Sequence, residues 1–477
     1  MAALQAELAQ VEEGGGRFAW VRGRRRVGKS RLVQEFCDRS GAPYAFFQAL
    51  RRGERESIAL FADAVARSTL PAAPAFAGTS FDSWPVAIRA AAQGIDPARP
   101  AILVIDELPY LAELDPGFSA DLQQAWDRVL EKAPLLLICV GSDVRMMESL
   151  LGARAPLYGR PTLNMRVDPL DPPEVADLTA APDAGAAFDR YLIVGGFPQL
   201  ASSWRRGVEK KAFLRETLAH DQAPLAATAQ QIMLSEFPRE LRARDVIEAI
   251  GHGESAYGRI RARSGVKGNT LNDALEMLVE QKLLVTRELP YAVPPGRKAP
   301  RYTVADPYLR FWLRFVGPHL DELSRGRADL VIERIERDWA AYRGRAIEPL
   351  VRAALERLLD EPSLSDSLGG ARHVGAWWRR DHSVEVDLVG GDKPDPTAIG
   401  FVGSVKWRER GAFSAADLHD LQTGRAHVPG AEGAKLVAVS RTGFEEGLEV
   451  DATFDPDELL SAWELPAVGG VLDNGKT

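Results

Sequence analysis

One octapeptide constrains this chain more than any other: GRRRVGKS, Gly23 to Ser30. It follows RFAWVR (17–22), which alternates and is rich in aromatic and β-branched residues, as a strand is. It precedes RLVQEFC (31–37), with Leu32, Val33 and Phe36 at helical spacing. A glycine-bearing turn between a strand and a helix, ending in Gly-Lys-Ser, reads as a phosphate cradle. Gly23 and Gly28 let the backbone turn its N–H groups toward a phosphate, and the helix N-terminus adds partial positive charge. Lys29 is expected to reach the β- and γ-phosphates of ATP, and Ser30 to hold Mg2+. Arg24, Arg25, Arg26 and Val27 within the turn, and Arg31 after it, complete the expected nucleotide-contacting set.

Two further apolar runs fit the same reading. In PAILVIDELPYL, Ala101 to Ile105 is continuously apolar, as a central parallel strand is. Asp106 ends it, positioned for Mg2+ or a metal-bound water, and Glu107 is positioned to polarise an attacking water. LLLICV (135–140) is a third such strand, followed by Gly141, Ser142 and Asp143. Ser142 is expected to sense the γ-phosphate. Arg154 and Arg160 are candidates for stabilising charge on the transferred phosphoryl group, Arg160 the stronger. The alternative for each is a solvated arginine at a strand edge. GGFP (195–198) follows an amphipathic helix over roughly 184–193 and by itself reads as a helix stop.

Taken in order, GRRRVGKS, VIDELPYL, VGSDVRMMESLL, PLYGRPTLNMRVDPL and GGFP resemble the archaeal-type ATPases of the STAND and AAA+ superfamily. The resemblance covers nearly the whole chain. It implies a winged helix and a C-terminal restriction-endonuclease-like domain, and it assigns Gly195, Gly196 and Pro198 to a lid motif near the adenine. Against the family pattern the chain starts late, at MAALQAELAQ. This implies either a misassigned start or weakened contacts to the base.

Composition narrows the remaining classes. A length of 477 residues suits about three domains, and 45% apolar with 26% charged residues is ordinary for globular protein. The net charge of −8 excludes a molecule-wide polyanion binder, so any nucleic-acid surface is a local patch. No run approaches the ~18 apolar residues of a membrane span. The N-terminus is acidic and helical, unlike a signal peptide. Cys37 and Cys139, the two cysteines, lie in apolar surroundings and read as buried rather than bridged, which fits a reducing cytoplasm.

The middle of the chain reads as helices over 200–234, then three more helices (239–250, SAYGRIRARSGV and KGNTLNDALEMLVEQKLL). LVTRELP and RYTVADP follow as strands around a long turn. Three helices and a β-wing make a winged helix. Lys267, Asn269, Thr270 and Asn272 near the third helix start, with Arg297, Lys298 and Arg301 of the wing, are candidate contacts to double-stranded DNA. Asp273, Glu276 and Glu280 make the rest of that helix acidic, so the alternative is a lid or protein-docking module. Tyr308, Phe311, Trp312 and Phe315 recur at helical spacing and read as core packing rather than a stacking platform.

In the last third, YRGRAIEPLVRAALERLL reads as one amphipathic helix with Glu348 at the edge of its apolar stripe. SVEVDLV alternates, so Glu385 and Asp387 share a face, and AIGFVGSVKWRER is the next strand. A helix acid, a strand acid and a lysine on the neighbouring strand are the parts of a PD-(D/E)XK nuclease. Carried over from the family pattern, Glu348 and Asp387 hold the metal and Lys406 helps activate water. Ser404 stands where that pattern has a glutamate, and a hydroxyl is a poor ligand for a hard cation. The expectation is a retained fold with cleavage lost or nearly lost, with Glu385 the candidate substitute ligand.

The fold expected is therefore α/β: a P-loop NTPase parallel sheet (1–175), a helical lid (176–235), a winged helix-turn-helix (236–318) and a PD-(D/E)XK-like α/β domain (319–477). The function expected is an ATP-driven molecular switch acting on DNA, with ATP and Mg2+ as cofactors and a protein partner or homo-oligomer as further options. The alternatives are a DNA-binding regulator that holds ATP with little turnover, and an active ATP-regulated nuclease.

Overall fold

The three middle strands of the first sheet are buried on both faces over nearly their whole length, as strands of a parallel sheet are. In the computed structural model, which describes residues 1–237, 241–293, 299–381, 383–393, 396 and 398–465, five strands pair in the order β2-β3-β4-β1-β5. They are β1 (Arg17–Arg22), β2 (Tyr44–Gln48), β3 (Ala101–Asp106), β4 (Leu135–Gly141) and β5 (Leu163–Arg166). Every pairing is parallel, and β3 and β4 are buried along their whole length. One face packs Phe18, Trp20, Phe47 and Leu103 against Trp84, Phe118 and Trp126. The other packs Val21, Val104 and Ile138 against Val33, Phe36 and Cys37 of the helix Lys29–Ser40, and against Leu4 and Val11 of the first helix. Cys37 and Cys139 are buried free thiols.

The chain divides into two compact units, residues 1–169 and 170–477. In the second, helices Pro172–Thr179, Ala184–Val194, Pro198–Ser203, Lys210–Thr217 and Pro224–Glu236 come first. Helices Leu241–Gly251, Tyr257–Ser264 and Asn269–Glu276 follow, the last passing into one π-helical turn. An antiparallel pair, β6 (Val285–Glu288) and β7 (Arg301–Val304), comes next. Pro307–Phe315 is capped by the Asp306 carboxylate, which accepts from Leu309 N at 2.7 Å. Its Tyr308, Phe311, Trp312 and Phe315 are all buried, and the Tyr308 hydroxyl donates to the Leu225 carbonyl (2.9 Å). Gly195 (φ 58) lies against Tyr308, whose backbone N is 3.1 Å from where a Cβ would stand.

A mixed sheet closes the unit, ordered β12-β11-β10-β9-β8: β8 (His373–Trp378), β9 (Glu385–Gly391), β10 (Ile399–Lys406), β11 (Lys435–Ser440) and β12 (Ala452–Phe454). One buried apolar cluster runs from Val175 to Ala462, so the segments 176–235, 236–318 and 319–477 share a core. The helix expected from Tyr342 onward differs. It is two helices, Ala328–Ala346 and Glu348–Leu358, divided at Ile347. Pro349 has no N–H to offer and crowds the preceding turn, which breaks the ladder there. Among the described residues no helix is long and apolar enough to cross a membrane.

Candidate functional site

The β1–helix turn has the backbone its sequence demands. Gly28 adopts φ 95 and Arg26 φ 66, both left-handed, so the chain reverses before Lys29 opens the helix. Gly23 serves a different need. A Cβ there would stand 2.1 Å from the Val167 carbonyl oxygen. Lys29 is 6% exposed, and its Nζ donates to the Arg24 carbonyl at 2.6 Å. Burial lowers its pKa to about 8, against the opposing pull of Glu107 and Asp106, with Arg25 adding to the fall.

β3 and β4 deliver the other side chains to the same end of the sheet. Asp106 is 1% exposed, and burial pushes its carboxyl up while the nearby Ser30 hydroxyl pulls it down. Its Oδ1 accepts from Glu107 N (2.9 Å), while Oδ2 is buried and makes no hydrogen bond of ordinary geometry. Such an orphaned carboxylate oxygen beside Ser30 suits a divalent cation with its waters. Glu107 sits at φ 53, a left-handed conformation uncommon for a residue with a Cβ. Its Oε2 accepts from the Ser142 hydroxyl at 2.8 Å. Backbone held in a sparsely populated region needs support from its surroundings, and such positions cluster at functional sites.

The remaining expected residues are spread more widely. The Arg25 guanidinium donates to the Tyr110 hydroxyl (2.7 Å) and lies over its ring, with Arg51 on the ring at 4.9 Å. Neither Tyr110 nor Arg51 was marked by sequence pattern; Tyr110 is three residues past Glu107, and that proximity is the only signal. Val27 is buried, and Arg31 is exposed and paired with Glu35 (2.9 Å). Arg160 is clasped by both oxygens of Asp127 (2.8 and 2.9 Å) and donates to the Pro156 carbonyl, while Arg154 is exposed. Pro198 opens a short helix of the second unit.

A pH dependence follows. A bound polyphosphate favours charged Lys29, and the free lysine loses its charge as pH rises through about 8. Nucleotide affinity should hold steady below that pH and fall above it, approaching about tenfold per pH unit. Kd measured from pH 6.5 to 9.5 checks this. Lys29→Arg should flatten the profile, since guanidinium keeps its charge.

In the second unit, Glu348, Asp387, Ser404 and Lys406 come together. Asp387 Oδ2 accepts from Val405 N (2.8 Å) and the Ser404 hydroxyl (3.1 Å). Burial raises Glu348 to about 8, and the Asp387 charge adds to it. Burial also raises Asp387, opposed by the Val405 N–H and by Lys406. Arg352 lies among these acids. It is 3.7 Å from Glu348 and 3.2 Å from Glu288, and donates to the Asp387 carbonyl (3.2 Å). Lys406 Nζ is 3.8 Å from Asp417, which the Arg408 guanidinium holds near 2 despite burial. Among the described residues no three His, Cys, Asp or Glu side chains gather as a metal cluster.

The candidate DNA contacts divide. Lys267, Asn269, Thr270 and Asn272 are exposed, as are Arg259, Arg261 and Arg263 on the preceding helix, which sequence reading did not single out. Arg301 is turned elsewhere: it forms a two-toothed pair with Glu385 and stacks on Trp378 at 4.3 Å. That pairing also engages the carboxylate suggested as a substitute metal ligand. Arg297 and Lys298 lie outside the described residues.

Comparison with known proteins bears on the first unit most. Residues 2–181 match a family model described as an ATPase domain predominantly from Archaea. This match supports ATPase activity. Residues 312–419 match a second model, described as archaeal and bacterial proteins of unknown function. An uncharacterized protein of Methanocaldococcus jannaschii is 24% identical over 409 residues, 85% of this chain and 86% of the relative. Solved structures with partial similarity include a Walker-type ATPase of Pyrococcus abyssi (TM-score 0.46, 19% identity, 65% of this chain and 95% of that one). Another is the Aeropyrum pernix ORC2 protein in ADPNP–ADP complexes (TM-score 0.46, 14% identity, 70% and 93%).

Proposed function

We propose that residues 1–169 bind ATP with Mg2+ and hydrolyse it, and that this cycle governs what residues 170–477 bind. One observation carries the reading: β1, β4 and β3 are neighbours, and from one end they present Lys29, Ser142 and the pair Asp106–Glu107, with Lys29 and Asp106 buried. In this reading the turn's N–H groups and Lys29 grip the phosphates, and Ser30 and Asp106 hold Mg2+. The bound ion would supply charge neutralisation on the phosphates. Glu107 takes the proton of the attacking water, and Ser142 orients its carboxylate. Arg160 acts as a finger only if it leaves Asp127. The test is multiple-turnover ATP hydrolysis with and without DNA and RNA. Turnover stimulated by nucleic acid supports the switch; stoichiometric retention of ATP supports the regulator that turns over rarely.

The three helices and the β6–β7 pair support a winged helix that meets DNA. The exposed Arg259, Arg263 and Lys267 support a patch that grips phosphates rather than reads bases. Affinity for any duplex should fall steeply with salt, through counterion release. Lys267→Glu with Arg263→Glu should weaken binding to all sequences and reduce the log–log salt slope by about 2. An unchanged slope, measured by fluorescence anisotropy, would favour the docking alternative.

The acids near Ser404 support a nuclease-like fold without cleavage. Ser404 and Val405 N–H donate to the same Asp387 oxygen, which occupies lone pairs a metal would need. Arg352 supplies a built-in counter-charge among Glu348, Glu288 and the Asp387 backbone. Wild type should give no Mg2+- or Mn2+-dependent nicking of plasmid DNA above background, and Ser404→Glu should restore some. Robust cutting by wild type, stopped by Asp387→Ala, contradicts this.

A further inference from the structure

The β6–β7 hairpin has partners on two sides. Toward the three helices, Arg301 bridges to Ala256, and Tyr302 N donates to the Ser255 carbonyl (2.9 Å). Tyr302 and Val304 share a buried core with Leu271 and Leu275. Toward the C-terminal sheet, the chain leaving β6 inserts Tyr291, which is 7% exposed and packs with Trp377, Val386 and Val389. Tyr291 N donates to the Ala376 carbonyl (2.8 Å), and the Tyr291 hydroxyl donates to the Lys393 carbonyl. Two glycines make room for the ring. A Cβ at Gly375 of β8 would stand 2.9 Å from Tyr291 Cδ2, and one at Gly391 of β9 would stand 3.0 Å from Cε1. The chain entering β7 is held as well, at the Ala299 carbonyl, which accepts from Trp378 Nε1 (2.9 Å).

Charge repeats the pattern. The register sets Glu288 opposite Arg301, and opposite charges so placed can pair across the strands. Each has a partner beyond the hairpin. Arg301 holds both oxygens of Glu385 on β9 (3.0 Å to Oε2), and its guanidinium lies 4.3 Å from the Trp378 ring centre. Glu288 is 3.2 Å from Arg352 of the helix Glu348–Leu358. β8 is the last strand of its sheet, and an edge strand needs cover against stray pairing. Tyr291 and Ala299 meet it there, since Ala376 and Trp378 are both β8 residues.

We propose that this hairpin is a strap and not a DNA-contacting wing: it fastens the three helices to the C-terminal sheet and withholds Arg301 from nucleic acid. Arg301 and Glu385 are its clasp. To reach a phosphate, Arg301 must leave a two-toothed carboxylate and the ring on its face, whereas Arg259, Arg263 and Lys267 are already exposed. Fastened in this way, the helices carry β8 and β9 with them. A duplex gripped by the helices then keeps a fixed place relative to Glu348 and Asp387. The strap rests on the contacts alone; its bearing on DNA rests on the helices being the nucleic-acid surface.

Two measurements on the full chain test this. Hydrogen exchange, read by mass spectrometry in peptides containing Tyr291 and Ala376, reports whether the strap stays closed. Arg301→Ala and Glu385→Ala should each speed exchange there about 3- to 30-fold, the range for losing one charged, hydrogen-bonded pair. The double variant should do no more than either single one, because both remove the same contact. Fluorescence anisotropy with a DNA duplex across a salt series reads the second claim. Arg301→Ala should leave the log–log salt slope unchanged, while Lys267→Glu with Arg263→Glu lowers it. Arg301→Gln, which keeps more of the side chain, replaces Arg301→Ala if alanine prevents folding. The strap is overturned if neither single variant speeds exchange, or if their effects simply add. The withholding of Arg301 is overturned if its loss lowers the slope by about 1, the signature of one phosphate contact. If no duplex binds wild type, the nucleic-acid surface itself fails and the withholding of Arg301 fails with it. Exchange then decides the strap by itself.

Discussion

Glu107→Gln lowers steady-state ATP turnover about 10²- to 10⁴-fold, the range for removing a general base, while ATP affinity stays close to wild type. The amide keeps the size of the side chain and can still accept from the Ser142 hydroxyl, which lies 2.8 Å from the carboxylate. It cannot take a proton from water. The strained backbone is unaffected, because glutamine meets the same φ of 53 at the same cost. The Asp106 oxygen that accepts from the Glu107 N–H is likewise undisturbed. Binding and catalysis should therefore separate in this variant. Turnover equal to wild type would remove Glu107 from the role of base.

Gly23→Ala should damage binding and folding together. The new methyl would stand 2.1 Å from the Val167 oxygen, 3.1 Å from its carbonyl carbon and 3.4 Å from the Lys29 side chain. The obstacle is backbone. Val167 N donates to the Arg22 carbonyl (2.8 Å), and Arg22 pairs with Arg166 in the β1–β5 register. Relief requires the turn to lift away from β5 or that pairing to break. Overpacking of this kind costs about 1–3 kcal/mol. A displaced turn also misaims the N–H groups, so affinity for a fluorescent ADP analogue should fall at least about tenfold, or about 1.4 kcal/mol. Thermal unfolding and a binding titration read the two effects separately. An alanine variant that binds and melts like wild type would contradict this account of Gly23.

What could be read from the sequence was local. β1, β3 and β4 each carry their pattern within six or seven residues, and the residues that follow them are the ones gathered at the sheet's end. The conformational need of Gly28 is equally local. Gly23 is different. The sequence reading gave it freedom to turn, whereas its constraint is the approach of Val167, far along the chain. Arg301 does open β7, but its side chain, expected to contact DNA, is engaged by Glu385 on β9. No spacing rule reports a pair 84 residues apart. Arg343 looked like one more arginine on an amphipathic helix, and only the packed structure reveals it as fully buried. The division at Ile347 was legible, since Pro349 stands in the sequence, but the strength of the apolar stripe across it obscured the break.

The most direct measurement of the central claim is steady-state ATP hydrolysis by purified wild type and Lys29→Ala. The account predicts Mg2+-dependent turnover by wild type. It predicts none above background from the variant, whose buried ammonium is lost from beside Asp106 and Glu107. Hydrolysis that survives Lys29→Ala unchanged, or a folded wild type that neither binds nor cleaves ATP, would contradict it.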